Sequence, residues 1–188
     1  LIRILLDLVA EPQWWWGVVV VIIGGVSALL GVLYAILQQD LKRLLAALSA
    51  EQVDGVPAGG YALHARGYQR APVDIDLLLR PERDQGERVR RALLSLPDKA
   101  AEALDPAWFD EGDTIRVADA FVVDLRFDAC GESIETLRGH IVAVDLDGIA
   151  VRTLDLEGLL KTKRTARDKD RVDRAVLEQA LQATRRGT

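Results

Sequence analysis

Apolar positions fall into two regimes along the chain. From Pro12 to Gln39 no residue is charged, and Trp14 to Leu37 is apolar or small throughout, apart from Ser27 and the ring hydroxyl of Tyr34. About 20 apolar helical residues cross a bilayer, so this run predicts one transmembrane helix over about residues 14–38. Trp14, Trp15 and Trp16 suit the headgroup region at one end, and Lys42 and Arg43 stand beyond the other. Gly24, Gly25 and Gly31 suit close helix packing in lipid. The run is too long for a signal peptide and ends in Asp-Leu-Lys-Arg. The positive end predicts that whatever follows Lys42 is cytoplasmic.

After Leu48 the pattern changes. Glu51 to Gly60 holds Gly55, Pro57, Gly59 and Gly60, which signals loops and turns. VDIDLLL (73–79) reads as a buried strand ending at Arg80-Pro81, and ERVRRALLSL (87–96) as an amphipathic helix. TIRVADAFVVDLRFDA (114–129) reads as two strands turning near Ala118-Asp119, and Ser133 to Leu137 as one helical turn. HIVAVDLDGIAVRTL (140–154) holds a hairpin turning at Asp147-Gly148. LEGLLKTKRTA and VDRAVLEQALQATRR read as two closing helices. The expectation is an α+β domain over 49–188, a mixed sheet flanked by helices, behind an N-terminal segment 1–48.

Composition refines this picture. With 49% hydrophobic and 28% charged residues the chain is not a disordered one. Cys130 is the single cysteine, so no intrachain disulfide forms and no Cys-based zinc site is spelled out. The absence of Met reads as a fragment whose N-terminus lies upstream of Leu1. Net charge is −5, yet Lys161 to Arg186 carries nine Lys/Arg against four acids, +5 locally, which leaves −10 elsewhere. A basic end on an acidic chain suits phosphate, or simply a solvated helix face.

The string GGYALHARGYQRAPVDIDLLL (59–79) carries the candidate chemistry. Strand residues two apart share a face, so Asp74 and Asp76 project side by side. Carboxylates that close repel unless a cation sits between them, and Mg²⁺ favours carboxylate oxygens together with substrate phosphates. Gly59-Gly60 precede a predicted helix, Tyr61 to Ala65, and glycines before a helix N-terminus let phosphate approach the backbone. Asp124 in AFVVDLRFDA is the expected third acid, facing the pair from a neighbouring strand, with Asp128 as fallback. The plain alternatives are solvated strand acids and an ordinary tight turn. His64, His140 and Cys130 are expected to be structural.

These motifs resemble the nucleotidyltransferase superfamily of the DNA polymerase β type. The similarity is greatest to small bacterial members such as the abortive-infection-type nucleotidyltransferase toxins. The tail LDLEGLLKTKRTARDKDRVDRAVLEQAL (154–181) is similar to their Leu-x-x-Leu-x-x-x-Lys…Arg-x-Lys-Asp-x-x-Asp stretch. The resemblance, over about residues 41–183, implies a nucleotidyltransferase fold and Mg²⁺-dependent transfer of a nucleotidyl group from a nucleoside triphosphate to a hydroxyl. The acceptor would be RNA, protein or a small molecule, with an antitoxin as a further partner. Gly59 and Gly60 would contact the phosphates. Asp74, Asp76 and Asp124 would be catalytic and hold metal. Arg70, Lys163, Arg167 and Lys169 would bind nucleotide, with Asp170 and Asp173 orienting them. The chain departs from the family in having Ala71-Pro72-Val73 where a Ser or Thr usually stands, and in the short VDGVPA strand before Gly59.

Residues 1 to about 46 resemble one transmembrane helix of the antiporter-like subunits of NADH–quinone oxidoreductase, membrane-bound hydrogenases and cation/proton antiporters. LLDLVAEP…WWGVVVVIIGGVSALLGVLYAILQQDLKRLLA carries that likeness. Two alternatives to an enzyme follow: a non-catalytic nucleotide-binding or toxin–antitoxin module, or a fragment of a proton-translocating membrane subunit fused or misjoined to this domain. The expected location is membrane-anchored with the C-terminal domain cytoplasmic, or cytoplasmic throughout if the junction is a misjoin.

Overall fold

The computed structural model describes residues 14–59, 62, 74–146, 148–164 and 168–186. Helix α1 spans Trp14–Ala50, and packing divides the chain between Gln39 and Asp40. In the N-terminal unit Trp14–Leu33 has mean hydropathy 2.5, and none of it is buried by the rest of the chain. This helix is long and apolar enough to cross a membrane. Its Trp15 and Trp16 rings sit 5.0 Å apart at the first turn.

The second unit begins inside α1. Leu41, Leu44, Leu45 and Leu48 recur at helical spacing and give the stretch from Asp40 one apolar stripe. Leu44 and Leu48 are buried in the core of the sheet unit. That burial explains why the helix continues to Ala50, beyond the span of about 14–38 read from hydropathy.

Four strands form a mixed sheet in the order β1-β2-β4-β3: β1 Gly55–Pro57, β2 Asp74–Leu79, β3 Ile115–Ala118 and β4 Val122–Arg126. The central pair β2 and β4 is parallel, with antiparallel neighbours outside. Pro57 is tolerated because β1 is an edge strand. One face carries Ile75, Leu77, Leu79, Val123 and Leu125, which pack on Leu44, Leu48 and helix α2 (Arg83–Leu93). Two 3₁₀ segments, Ala100–Ala103 and Pro106–Glu111, close this side around Phe109, which meets Phe127 edge-on at 5.1 Å.

Residues of opposite parity face the other way. There Val56 and Leu78 join Leu154, Leu159 and Leu177 in a second core. It is built with a separate hairpin, β5 (Ile141–Leu146) and β6 (Ile149–Leu154), and helices α3 (Leu156–Lys161) and α4 (Asp168–Arg186). Asp145 accepts the Gly148 N–H at 2.8 Å in the hairpin turn, and Asp155 caps α3 through the Gly158 N–H at 2.7 Å. The expected α+β composition with one N-terminal apolar helix is therefore present.

Candidate functional site

The register of the parallel pair sets Asp76 directly beside Asp124, with Asp74 one pleat further along beside Val122. Three of the sequence-derived site residues thus share one sheet face, opposite the Leu77 and Leu125 side. Leu78, two residues beyond Asp76, is covered by the second core, so the acids occupy the end of that face where β2 begins.

Gly59 lies against this group. A Cβ placed on it would collide with the Asp76 carboxylate and stand 3.0 Å from the Asp76 Cβ. Ala58 extends the β1 pairing by donating its N–H to the Asp76 carbonyl at 2.9 Å. Only glycine lets the backbone pass so close to the acid. Beyond Gly59, Ala62 is helical, buried and donates to the Gly59 carbonyl at 3.2 Å. Gly60, Arg70, Arg167 and the rest of the predicted Tyr61–Ala65 helix, His64 included, lie outside the described residues, as does the Lys169 side chain.

The carboxylates have cationic partners that sequence reading did not single out. Arg116, opposite Asp124 on β3, grips it with two hydrogen bonds: Nε to Oδ1 at 2.7 Å and Nη2 to Oδ2 at 2.8 Å. This fork-on-fork geometry uses both oxygens. The hydrogen bond and then the charge of Asp124 raise the Arg116 pKa against a small desolvation cost, and Asp74 and Asp76 add to the rise. All three acids therefore act on one guanidinium. Arg126, two residues past Asp124, reaches Asp76 Oδ1 at 3.5 Å. Strand parity places Arg116 and Arg126 on this face, but only the register brings them to these particular acids.

These contacts decide how the acids suit a divalent cation. Both Asp124 oxygens are taken by Arg116 and one Asp76 oxygen faces Arg126, and among the described residues no three His, Cys, Asp or Glu side chains group as metal ligands. As arranged, the site does not fit Mg²⁺.

Lys163 is buried, with Nζ 3.4 Å from Asp170 and 3.2 Å from Asp173. The three join the end of α3 to α4, so the lysine meets the two acids that the sequence reading paired with it. Asp128 takes a turn role, accepting the Gly131 N–H at 3.1 Å. His140 Nδ1 lies 3.1 Å from both oxygens of Asp155, the α3 cap, and Cys130 Sγ donates to the Thr162 carbonyl at 3.0 Å. Each fixes local structure.

In class, then, this is a membrane-associated chain: one exposed apolar helix precedes a mixed helix-and-sheet unit. Residues 1–69 match the family described as NADH:quinone oxidoreductase/Mrp antiporter, TM. The chain is also similar to Hydrogenase-4 component B of Escherichia coli (strain K12), 44% identical over 73 residues that cover 34% of this chain and 11% of that protein. It thus spans about a tenth of the length of this curated relative.

Proposed function

We propose that α1 works in the lipid bilayer as a spanning segment of the antiporter-like kind, and that the chain is a piece of a proton-translocating membrane subunit joined to a separate sheet-bearing unit. The match over residues 1–69 carries this reading, and the exposed apolar surface of Trp14–Leu33 supports it. No charged side chain lies between Pro12 and Gln39, so this helix supplies packing surface. Any proton relay would belong to other helices of such a subunit. Alkaline carbonate extraction of membranes from cells expressing the chain tests the reading. The expected result is full retention in the pellet, with the part after Asp40 digested by protease only in inside-out vesicles. Release by carbonate would contradict it.

A second reading concerns the sheet unit. Asp76 beside Asp124, with Gly59 pressed against Asp76, favours a nucleotidyltransferase-like centre that transfers a nucleotidyl group from a nucleoside triphosphate to a hydroxyl of RNA, protein or a small molecule. The acceptor oxygen would attack the α-phosphorus and pyrophosphate would leave. Asp74, which has no ion pair to another described residue, is suited to take the hydroxyl proton. Lys163, Arg167 and Lys169 supply the cationic side chains of this reading, with Gly60 and Arg70 nearer the acids in sequence. Loss of label transfer from α-labelled nucleotides in Asp74→Asn and Asp76→Asn, with folding retained, is expected. Equal activity in wild type and variants would remove the reading, and triphosphate binding without turnover would leave a binding module.

A further inference from the structure

A pocket of about 460 Å³, counted out to its open mouth, lies between the end of α1, the sheet and strand β6, wholly within the unit that begins at Asp40. Leu45 and Leu48 of α1, Val53 and Val151 are among its walls, and Ser49 and Arg152 are the only polar side chains among the described residues that line it. Much of that volume is mouth, so the interior takes a few methylene groups and not a whole lipid. Arg152 also belongs to a charge cluster. Its Nη2 lies 3.1 Å from Asp54, which Arg138 meets at 3.3 Å and Arg80 at 3.2 Å. Arg80 has two further acids, Glu135 at 2.9 Å and Glu82 at 3.4 Å. Arg138 and Arg152, 61% and 48% exposed, share the single Asp54 carboxylate. A guanidinium carries five N–H donors, so Arg152 keeps several open beside the pocket with only part of one negative charge set against it.

We propose that this pocket binds a small anionic amphiphile, its carboxylate or phosphate on Arg152 and a short apolar chain running in against Leu45, Leu48 and Val151. Apolar walls alone would accept any hydrophobic chain, and the exposed arginines alone would hold any anion loosely. Their meeting at Arg152 selects a molecule that has both parts. Two sources supply that chemistry: a free short-chain acid, or the phosphate and upper acyl chain of a bilayer lipid. Leu45 stands six residues after Gln39, where the uncharged run ends. Six residues span at most about 20 Å, which bounds the distance from Leu45 to the end of that run whatever the angle between the two units. The bilayer source rests on reading α1 as a spanning helix; the pocket itself does not.

Photo-cross-linking of the full chain in phosphatidylcholine nanodiscs, mapped by peptide mass spectrometry, tests this. One arm adds free hexanoate carrying a terminal diazirine; the other builds in phosphatidic acid with a diazirine on its acyl chain, against phosphatidylcholine bearing the same chain. Cross-links should fall on residues 45–57 and 150–152 and be displaced by excess plain hexanoate. Label from the free acid assigns a soluble ligand, and label from phosphatidic acid assigns a bilayer lipid; either supports the pocket. Arg152→Gln should lower the yield at limiting probe by about tenfold, the scale of one charge-assisted hydrogen bond, and Arg152→Lys should restore most of it. Ser49→Trp and Ala150→Trp, at exposed positions of the lining, should plug the mouth without touching the charge, and they serve if the Arg152 variants fold poorly. No cross-link at these residues from either anionic probe, equal label from phosphatidylcholine, or yields unchanged in the Arg152→Gln and Ser49→Trp chains overturns the proposal. Carbonate extraction separates the two ideas. A chain released by carbonate that still takes the free acid removes the spanning reading alone, and a chain retained without pocket label removes this one alone.

Discussion

Replacing Gly59 with Ala puts a methyl group where the Asp76 carboxylate now lies. The ideal Cβ would overlap the carboxylate, with Cγ at 2.8 Å and Cβ at 3.0 Å. Rotation about χ1 of Asp76 relieves the carboxylate overlap at the expense of the contact with Arg126. It does not relieve the Cβ contact, because that atom is fixed to the β2 backbone. Nor can the backbones separate freely, since the Ala58 N–H donates to the Asp76 carbonyl at 2.9 Å one residue away. Overpacking of this kind costs about 1–3 kcal/mol. The whole chain in detergent, with Trp14, Trp15 and Trp16 changed to Phe so that Trp108 reports on the sheet unit, gives the assay as a urea titration by fluorescence. Gly59→Ala should lower the unfolding free energy by about 1–3 kcal/mol. In an Asp76→Gly background, which removes the opposing Cβ, most of that loss should disappear, a coupling of about 1 kcal/mol or more. A cost below about 0.5 kcal/mol, or the same cost in both backgrounds, would refute the close approach of Gly59 to Asp76.

Three further outcomes follow from the same packing. Asp54 receives Arg80 at 3.2 Å, Arg138 at 3.3 Å and Arg152 at 3.1 Å; Asp54→Ala should cost about 1 kcal/mol, discounted because two of these arginines are about half exposed or more, and high salt should shrink the loss. Gly86→Ala would gain about 1 kcal/mol on helix propensity alone, but a Cβ there meets the Pro106 backbone and Phe109 ring at 2.9 Å, so thermal melting should show net destabilisation. Burial works to raise the Asp119 pKa, yet N–H groups of Ala100, Ala120 and Asp98 outweigh it and hold the carboxyl below its ordinary 3.8. The folded state therefore gains stability from Asp119 above pH about 4 and loses it as pH falls through the lowered value; Asp119→Asn should flatten the melting-temperature profile in that acid range.

Much of this architecture was legible from the alternation of residue types. Val73 to Leu79 and Val122 to Arg126 read as strands because one parity is uniformly apolar, and the same parity put Asp74 and Asp76 on one face. The continuation of α1 was legible too, in the Leu41, Leu44, Leu45 and Leu48 stripe, but the uncharged run before it dominates any hydropathy reading. Ala100–Ala103 and Pro106–Glu111 are too short for a periodic signal; Phe109 of the second packs on Gly86, and Arg90 holds the Ala101 and Glu102 carbonyls of the first. Strand register is a tertiary property. Sequence could nominate Asp124 as a third acid, but it could not show that Arg116 lies opposite Asp124 or that Arg126 reaches back to Asp76. Those two contacts turn an apparent cation site into one that already holds its own positive charges.

Cross-linking addresses the juxtaposition of Asp76 and Asp124 most directly. Neighbouring strands lie about 4.8 Å apart, within the Cα separation a disulfide spans. In a Cys130→Ser chain, Asp76→Cys with Asp124→Cys should close a disulfide rapidly under mild oxidation, while Asp76→Cys with Val123→Cys, on opposite faces, should stay reduced. Failure of the first pair, or faster closure of the second, would contradict the register on which the site is built.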